Sequence, residues 1–226
     1  MRHRAGTPRF PTRLDSAPVR RPVSWAAIVP VALVELALLV ATANRYGYHR
    51  DELYFIQAAK HPAFGYDDQP PLTPLLGRLS AAVFGDDPRG LRVVSALAAA
   101  LVVVLVALLA RELGAARVGQ LAVATIAAAS LLLAAGHILS TTTFDIVFWL
   151  AVAWLVTLLL GGADERLWLL VGVTVGVALE NKHLVLLLLA SLVELDNEEQ
   201  GGPVWICRRP ATPWSELWPE LRHLSP

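Results

Sequence analysis

Residues 91–110 read LRVVSALAAALVVVLVALLA, a run in which Arg92 is the only charged side chain. A helix needs about 20 predominantly apolar residues to cross the hydrocarbon core of a bilayer. Three further runs have the same character and occupy residues 24–43, 118–136 and 144–160. The composition agrees, since 55% of the 226 residues are hydrophobic and 17% are charged, against about 25% charged in soluble domains. The sequence therefore predicts an all-α, polytopic transmembrane helical bundle.

The distribution of basic residues predicts the orientation of this bundle. The first apolar run is too long for the h-region of a signal peptide. It is preceded by a leader that carries Arg2, Arg4, Arg9, Arg13, Arg20 and Arg21, opposed only by Asp15. Because cytoplasmic segments carry an excess of Lys and Arg, we expect a multi-pass protein of the cell membrane with a cytoplasmic N-terminus. The loops at residues 44–90 and 137–143 then lie outside, and those at 111–117 and 161–166 lie inside.

The segment 167–195 admits two interpretations. As one helix it would bury Glu180, Lys182 and His183 near the bilayer centre, which is costly for unpaired charges. Two shorter helices that turn at ENKH, residues 180–183, avoid that cost and are favoured, so we expect five or six spans in all. The domain organisation is then a basic cytoplasmic leader (1–23), a transmembrane domain (24–195) and a divergent, disordered tail (196–226), rich in proline and tryptophan.

Several function classes are disfavoured by composition. Nineteen basic residues balance nineteen acidic ones, so no net positive charge attracts nucleic acid, and nucleic acid is not an expected partner. Cys207 is the only cysteine, which excludes an internal disulfide framework. Neither a GxGxxG nor a Walker A pattern is present, so the common nucleotide-binding loops are not indicated.

The first outer loop, residues 44–90, combines carboxylates, aromatic residues and two amphipathic stretches. Residues 52–59 (ELYFIQAA) predict a short interfacial helix that offers Leu53, Phe55 and Ile56 to the apolar boundary of the membrane. Pro70 and Pro71 interrupt the chain, and residues 72–84 predict a second interfacial helix. We therefore expect the loop to lie along the bilayer surface.

Short motifs in and after this loop resemble a known family. They are RDELYF (50–55), GYDDQPPLTPLLGRL (65–79), LR (91–92), GHILSTTTFD (136–145) and GVALENKHL (176–184). Their order and shared outer side resemble the membrane glycosyltransferases related to protein O-mannosyltransferases, a group that includes the bacterial lipid A aminoarabinose transferase. The resemblance implies the N-terminal part of a GT-C type fold, a polyprenyl-phosphate sugar donor, and a lipid, glycan or protein acceptor. On the sequence evidence no cofactor is required, although a divalent metal is possible.

Three carboxylates are candidate catalytic residues: Asp51, Glu52 and Asp145. Adjacent helical residues point about 100° apart, so Asp51 and Glu52 cannot both face one acceptor hydroxyl. The resemblance favours Asp51 as the general base of an inverting displacement. The alternative is that both only complement the helix dipole. Asp145, at the mouth of the fourth span, is expected to face a cavity, with helix capping as its alternative.

Candidate ligands of the donor phosphate are Lys182, Gln69 and Asp68. The resemblance places Asp68 and Gln69 at the acidic and basic positions before the prolines, with glutamine where lysine is usual. Asp67 and Asp68 also suit a solvated turn. Lys182 can hold a phosphate as a point charge, or it can be a snorkelling interfacial lysine. A divalent metal bound by His49, His137 or His183 with the carboxylates stays open, because their spacing is not diagnostic.

Two other functions are considered. A transporter would use Asp145, Glu35 and Lys182 to line a polar path, although for Glu35 we expect a protonated side chain bonded to a neighbouring helix. A non-catalytic fragment is suggested by the change of character after Leu195, because chains of the resembled family are usually longer. On that interpretation the chain is truncated, and inserts in membranes without transferring sugar by itself.

Overall fold

The computed structural model describes residues 21–191, except for the side chains of 131–133. The leader up to residue 20, the tail from 196 and Cys207 lie outside the described residues, so the predictions for them stay predictions. All regular elements within the described range are α-helices, which confirms the predicted all-α class. They are α1 (Trp25–Thr42), α2 (Arg50–Lys60), α3 (Leu72–Phe84), α4 (Pro88–Glu112), α5 (Arg117–Ala128), α6 (Leu131–Gly136), α7 (Thr141–Leu160) and α8 (Leu167–Leu179).

Helix α4 is the centre of the bundle and packs against α1, α3, α5, α6 and α7. Its start is set by Pro88 in the first turn and by the Asp87 carboxylate, which accepts a hydrogen bond from the Gly90 N–H at 2.7 Å. Such an N-cap satisfies a backbone donor that the helix leaves unpaired. Small residues such as Ala99 and Ala107 let α1 and α5 pack closely against α4.

Three helices within residues 21–191 have the length and composition of a membrane span: α1, α4 and α7, with 18, 25 and 20 residues. The predicted third span, residues 118–136, is interrupted between α5 and α6, so the expectation of one continuous helix there was wrong. The Ser130 hydroxyl donates to the Ala127 carbonyl oxygen at 2.7 Å. A serine side chain that bonds nearby backbone in this way competes with helical hydrogen bonding.

Polar contacts define the two ends of the bundle. At one end the Ser24 N–H donates to Gln120 Oε1 at 3.0 Å, joining the start of α1 to α5. At the other end Asn44 Nδ2 donates to Asp87 Oδ2 at 3.0 Å, joining the end of α1 to the start of α4. Residues 21–23 and the 44–87 loop therefore join the bundle at opposite ends. We call the end with the 44–87 loop the loop end.

The two helices predicted in the first loop are present as α2 and α3, and α3 has the predicted bounds. Phe55 was expected at the membrane boundary, but it is 5% exposed and packs in the protein core with Leu91, Leu139 and Phe144. This core contact positions α2 against the bundle, so α2 has an inward and an outward face.

The segment 167–195 follows the two-helix interpretation over the part that is described. Helix α8 ends at Leu179, residues 180–184 form a turn, and residues 185–191 are helical again. The chain divides into two compact units, residues 1–185 and 186–226. All candidate site residues belong to the first unit, and the second is described only at 186–191.

Glu35 lies on α1 and is 2% exposed. The expected hydrogen bond to a neighbouring helix is not formed, since neither carboxylate oxygen has a partner among the described residues. The side chain is enclosed by the protein, which also gives no support to an open polar path through this position.

Candidate functional site

The orientation of α2 places Asp51 and Glu52 in different environments. Glu52 is fully buried, whereas the Asp51 side chain is 46% exposed. The His49 N–H donates to Glu52 Oε2 at 2.7 Å and completes a capping box at the start of α2. Glu52 thus adopts the helix-terminus role considered for both residues. Asp51 is the member of the pair that a substrate can reach.

Glu52 forms a two-point salt bridge with Arg92, the lone charge in the α4 apolar run. Arg92 Nη2 lies 2.6 Å from Glu52 Oε2, and Arg92 Nε lies 2.7 Å from Glu52 Oε1. Glu52 Oε1 also accepts the Leu139 N–H at 3.0 Å. The guanidinium further donates to the carbonyl oxygens of Ala43 and Gly47. One ion pair therefore fastens α2, α4, the loop after α1 and the loop before α7.

The charge of Glu52 is stabilised by these contacts. Burial alone raises the pKa of a carboxyl group. The Arg92 guanidinium and the N–H groups of His49 and Leu139 outweigh burial, and they hold the pKa of Glu52 below its usual value. Glu52 is therefore a charged structural anchor whose two oxygens both have partners. This arrangement supports Asp51, rather than Glu52, as the proton acceptor.

Tyr54 lies three residues after Asp51, on the same side of α2. Its hydroxyl donates to Asp68 Oδ1 at 2.5 Å, and this hydrogen bond is the main reason why the pKa of Tyr54 rises to about 12. Asp68 is solvated, as its turn interpretation predicted, but it is also held against α2. In the next residue, Gln69 Nε2 is buried without a hydrogen-bond partner in the described structure. The Gln69 amide lies next to the Tyr54 hydroxyl, so Asp68 and Gln69 both contact this side of α2.

The ENKH turn packs against the start of α3. Glu180 O accepts the Leu72 N–H at 2.9 Å, and Asn181 Oδ1 accepts the Thr73 hydroxyl at 2.7 Å. Asn181 Nδ2 in turn donates to the Thr141 carbonyl oxygen at 3.0 Å, at the start of α7. The Asn181 side chain is 1% exposed. It therefore joins three segments and sets the position of its neighbour Lys182.

Lys182 follows Asn181, which bonds the first residue of α7, so Lys182 lies at the same end of the bundle as Asp145 on that helix. Asp145 is 9% exposed, and its carboxylate lies near the indole of Trp149. The capping alternative for Asp145 was wrong, because α7 begins at Thr141 after Ser140. Asp145 therefore faces the protein rather than lipid, one turn below the Thr141 contact with Asn181.

The metal alternative gains no support from residues 21–191, where no three His, Cys, Asp or Glu side chains are grouped to hold an ion. His137 instead packs edge-to-face against Tyr46, with ring centroids 6.3 Å apart. Burial and then the positive charge of Arg92 lower the pKa of His137. A neutral histidine beside the Glu52-Arg92 pair is consistent with a packing role.

The predicted site residues thus lie at the loop end of the bundle, linked by two sets of contacts. The Glu52-Arg92 set positions Asp51, and the Asn181 set positions Lys182 and the start of α3. Sequence analysis missed Arg92, Asn181 and Tyr54. A lone arginine at the mouth of an apolar run was a signal for Arg92, and the three-residue spacing from Asp51 was a signal for Tyr54.

A helical membrane bundle with acidic and basic groups gathered at one end is the architecture expected of a GT-C type glycosyltransferase. The profile of the dolichyl-phosphate-mannose-protein mannosyltransferase family matches residues 68–194, more than half of the chain. The chain therefore belongs to this family of membrane glycosyltransferases, which confirms the resemblance read from its motifs. No curated protein and no solved structure matches the chain. The matched region contains Asp68, Gln69, Asp145 and Lys182, whereas Asp51 precedes it.

Proposed function

We propose that the chain transfers a sugar from a polyprenyl-phosphate donor to an acceptor hydroxyl at the outer face of the membrane. The observation that carries this proposal is the arrangement at the loop end, where one set of contacts positions an exposed acid (Asp51) and another set positions a cation (Lys182) at the end of the bundle where Asp145 is buried. Membership of a mannosyltransferase family supports the same chemistry. Acceptors of three kinds, lipid, glycan and protein, suit a site that opens at the membrane surface.

The proposed reaction is an inverting displacement. The acceptor oxygen attacks the anomeric carbon of the sugar, and the bond from that carbon to the phosphate oxygen breaks. Asp51 takes the acceptor proton as the new bond forms. The electron pair of the broken bond leaves with the polyprenyl phosphate, whose growing negative charge is stabilised by Lys182. Asp145 shapes the site next to Lys182, while Asp68 and Gln69 contact the donor headgroup.

Lys182→Ala is expected to weaken donor binding by about 10- to 100-fold, because a hydrogen bond to a charged group contributes about 1.5–3 kcal/mol. The measurement is binding of labelled polyprenyl-phosphate mannose to the purified chain in nanodiscs. Arg45→Ala is the matched control, since it removes an exposed cation from the first loop away from α3 and α8. Equal donor affinity in Lys182→Ala and in the unaltered chain would reject the phosphate role of Lys182.

The orientation is tested by cysteine labelling in intact cells, in a Cys207→Ser background. A reagent that cannot cross the membrane is expected to modify cysteine introduced at Ala63, which is exposed in the first loop. It is expected to spare cysteine at Ala116, which is exposed between α4 and α5. The physical reason is the excess of arginine in the leader, which joins the bundle at the end opposite the first loop. The reverse labelling pattern would overturn the topology.

A further inference from the structure

A cavity of about 680 Å³ lies between α2 and α3 and extends to the start of α4. Its size falls in the range of about 300–1,000 Å³ that is usual for ligand pockets. Most of its wall is apolar and is formed by Leu53, Phe55, Ile56, Ala81, Ala82 and Leu91. None of the proposed catalytic or donor-phosphate residues lines it, so the reaction described above leaves the cavity without an assigned ligand.

Two cations, Lys60 and Arg78, line this cavity. Arg78 Nη1 donates to the carbonyl oxygen of Ala59 at 3.5 Å, which places the guanidinium next to the residue that precedes Lys60. Lys60 Nζ contacts only a neutral group, Gln57 Oε1, at 3.3 Å. Among the ion pairs of the described residues, neither cation takes part. Two cations that are not paired with a carboxylate among residues 21–191 therefore lie in the wall of one cavity.

The acidic group that lines the cavity, Asp86, belongs to its other end. Arg78 lies on α3, whereas Asp86 comes after the end of that helix at Phe84 and before the start of α4. The Tyr48 hydroxyl donates to the backbone oxygen of Asp86 at 2.7 Å and places it near the start of α2, whereas Lys60 ends that helix. The cationic end of the cavity is thus free to receive an anion.

The surroundings of the cavity indicate what kind of anion is available. Leu53, Leu79 and Phe84 on α2 and α3 are all at least 53% exposed, as expected of amphipathic helices that lie in a membrane interface. A pocket between two interfacial helices that is apolar inside and cationic at one end matches an anionic amphiphile. Its phosphate suits the two cations, and its acyl chain suits the apolar wall.

We propose that this cavity binds an anionic phospholipid, with the phosphate between Lys60 and Arg78 and an acyl chain along Leu53, Ile56 and Ala81. The site is separate from the proposed donor site. Arg78 lies six residues, or about 9 Å along the helix, from Leu72, which contacts the ENKH turn. A lipid held there fixes α2 and α3 in the membrane surface next to the substrate site.

The test is native mass spectrometry of the purified full chain with phosphatidylglycerol and, separately, phosphatidylcholine. Each basic residue near an anionic lipid contributes about 1 kcal/mol, so Lys60→Gln/Arg78→Gln is expected to lower phosphatidylglycerol affinity roughly 30-fold. Arg45→Gln/Arg89→Gln removes the same charge from exposed positions in the same part of the chain and is expected to bind as the unaltered chain does. Ala81→Phe, which fills the cavity and keeps both cations, is expected to weaken binding as well.

Three outcomes would overturn the proposal. The first is an equal loss of phosphatidylglycerol affinity in Lys60→Gln/Arg78→Gln and in Arg45→Gln/Arg89→Gln. The second is an affinity of the unaltered chain for phosphatidylcholine that equals its affinity for phosphatidylglycerol. The third is displacement of phosphatidylglycerol by polyprenyl phosphate with the same potency in the unaltered chain and in Lys182→Ala, which would place the sugar donor in this cavity. Inorganic phosphate is expected to displace nothing, because it lacks the acyl chain. Circular dichroism of each variant separates loss of the site from loss of the fold.

Discussion

Asp51→Asn is expected to lower the rate of sugar transfer by about 10²- to 10⁴-fold, the usual contribution of a general base. Asparagine keeps the size and polarity of the side chain but cannot take the acceptor proton. Because that proton moves only in the transition state, donor affinity is expected to stay nearly unchanged. The Glu52-Arg92 anchor is untouched by this substitution, since the Asp51 side chain is half-exposed and does not contact Arg92.

The measurement is release of polyprenyl phosphate from a labelled polyprenyl-phosphate sugar, in membranes where the unaltered chain transfers sugar. Donor binding is measured in parallel to separate the chemical step from affinity. Asp67→Asn is the matched control, because Asp67 is an exposed acid of the same loop. Near-normal transfer by Asp51→Asn, or an equal loss in Asp67→Asn, would reject Asp51 as the base.

Arg92→Leu is expected to destabilise the fold by about 3–5 kcal/mol, the usual cost of removing one partner from a buried ion pair. The substitution leaves the Glu52 carboxylate buried without its counter-charge and leaves the carbonyl oxygens of Ala43 and Gly47 without their donor. Sugar transfer is expected to fall as well, because α2 and the loop before α7 lose their common anchor.

This effect is measured by denaturant unfolding of the chain in micelles, followed by circular dichroism. Arg89→Leu, at an exposed position in the first turn of α4, is expected to change the free energy of unfolding by no more than about 0.5 kcal/mol. Glu52→Leu/Arg92→Leu removes both charges and is expected to recover part of the stability lost in Arg92→Leu. If Arg92→Leu lowers the free energy of unfolding no more than Arg89→Leu does, the ion pair does not anchor the loop end.

The stability contributed by Glu52 is expected to depend on pH in a defined direction. Its folded pKa is lowered below 4.5, so the folded state binds this proton less readily than the unfolded state. The contribution is therefore fully present above the unfolded pKa and is lost as the pH falls through the folded value. In unfolding at several pH values, the gap between the unaltered chain and Arg92→Leu should narrow towards acid. A gap that widens towards acid would contradict a charged Glu52.

Local patterns in the sequence were sufficient for most of the helices and for the candidate site residues. The apolar runs predicted α1, α4 and α7, and periodicity with flanking prolines predicted α3 with its observed bounds. The ENKH turn was predicted because charges are costly in the middle of a bilayer. The family was also recognisable from short motifs in their order. Each of these features depends on residues close together in the chain, so a one-dimensional pattern contains it.

Tertiary contacts decided which of those residues can act. Apart from the family resemblance, the sequence did not decide whether Asp51 or Glu52 is the catalytic base. The division between them arises from Arg92 and Leu139, which are 40 and 87 positions from Glu52. The joint that positions Lys182 connects Thr73 with Asn181, 108 positions away. No local pattern specifies such partners, because they meet only when the apolar helices pack and a buried polar group must find a hydrogen bond. The sequence by itself therefore determined the helices and the family, and packing at the loop end determined which acid is an anchor and which is exposed.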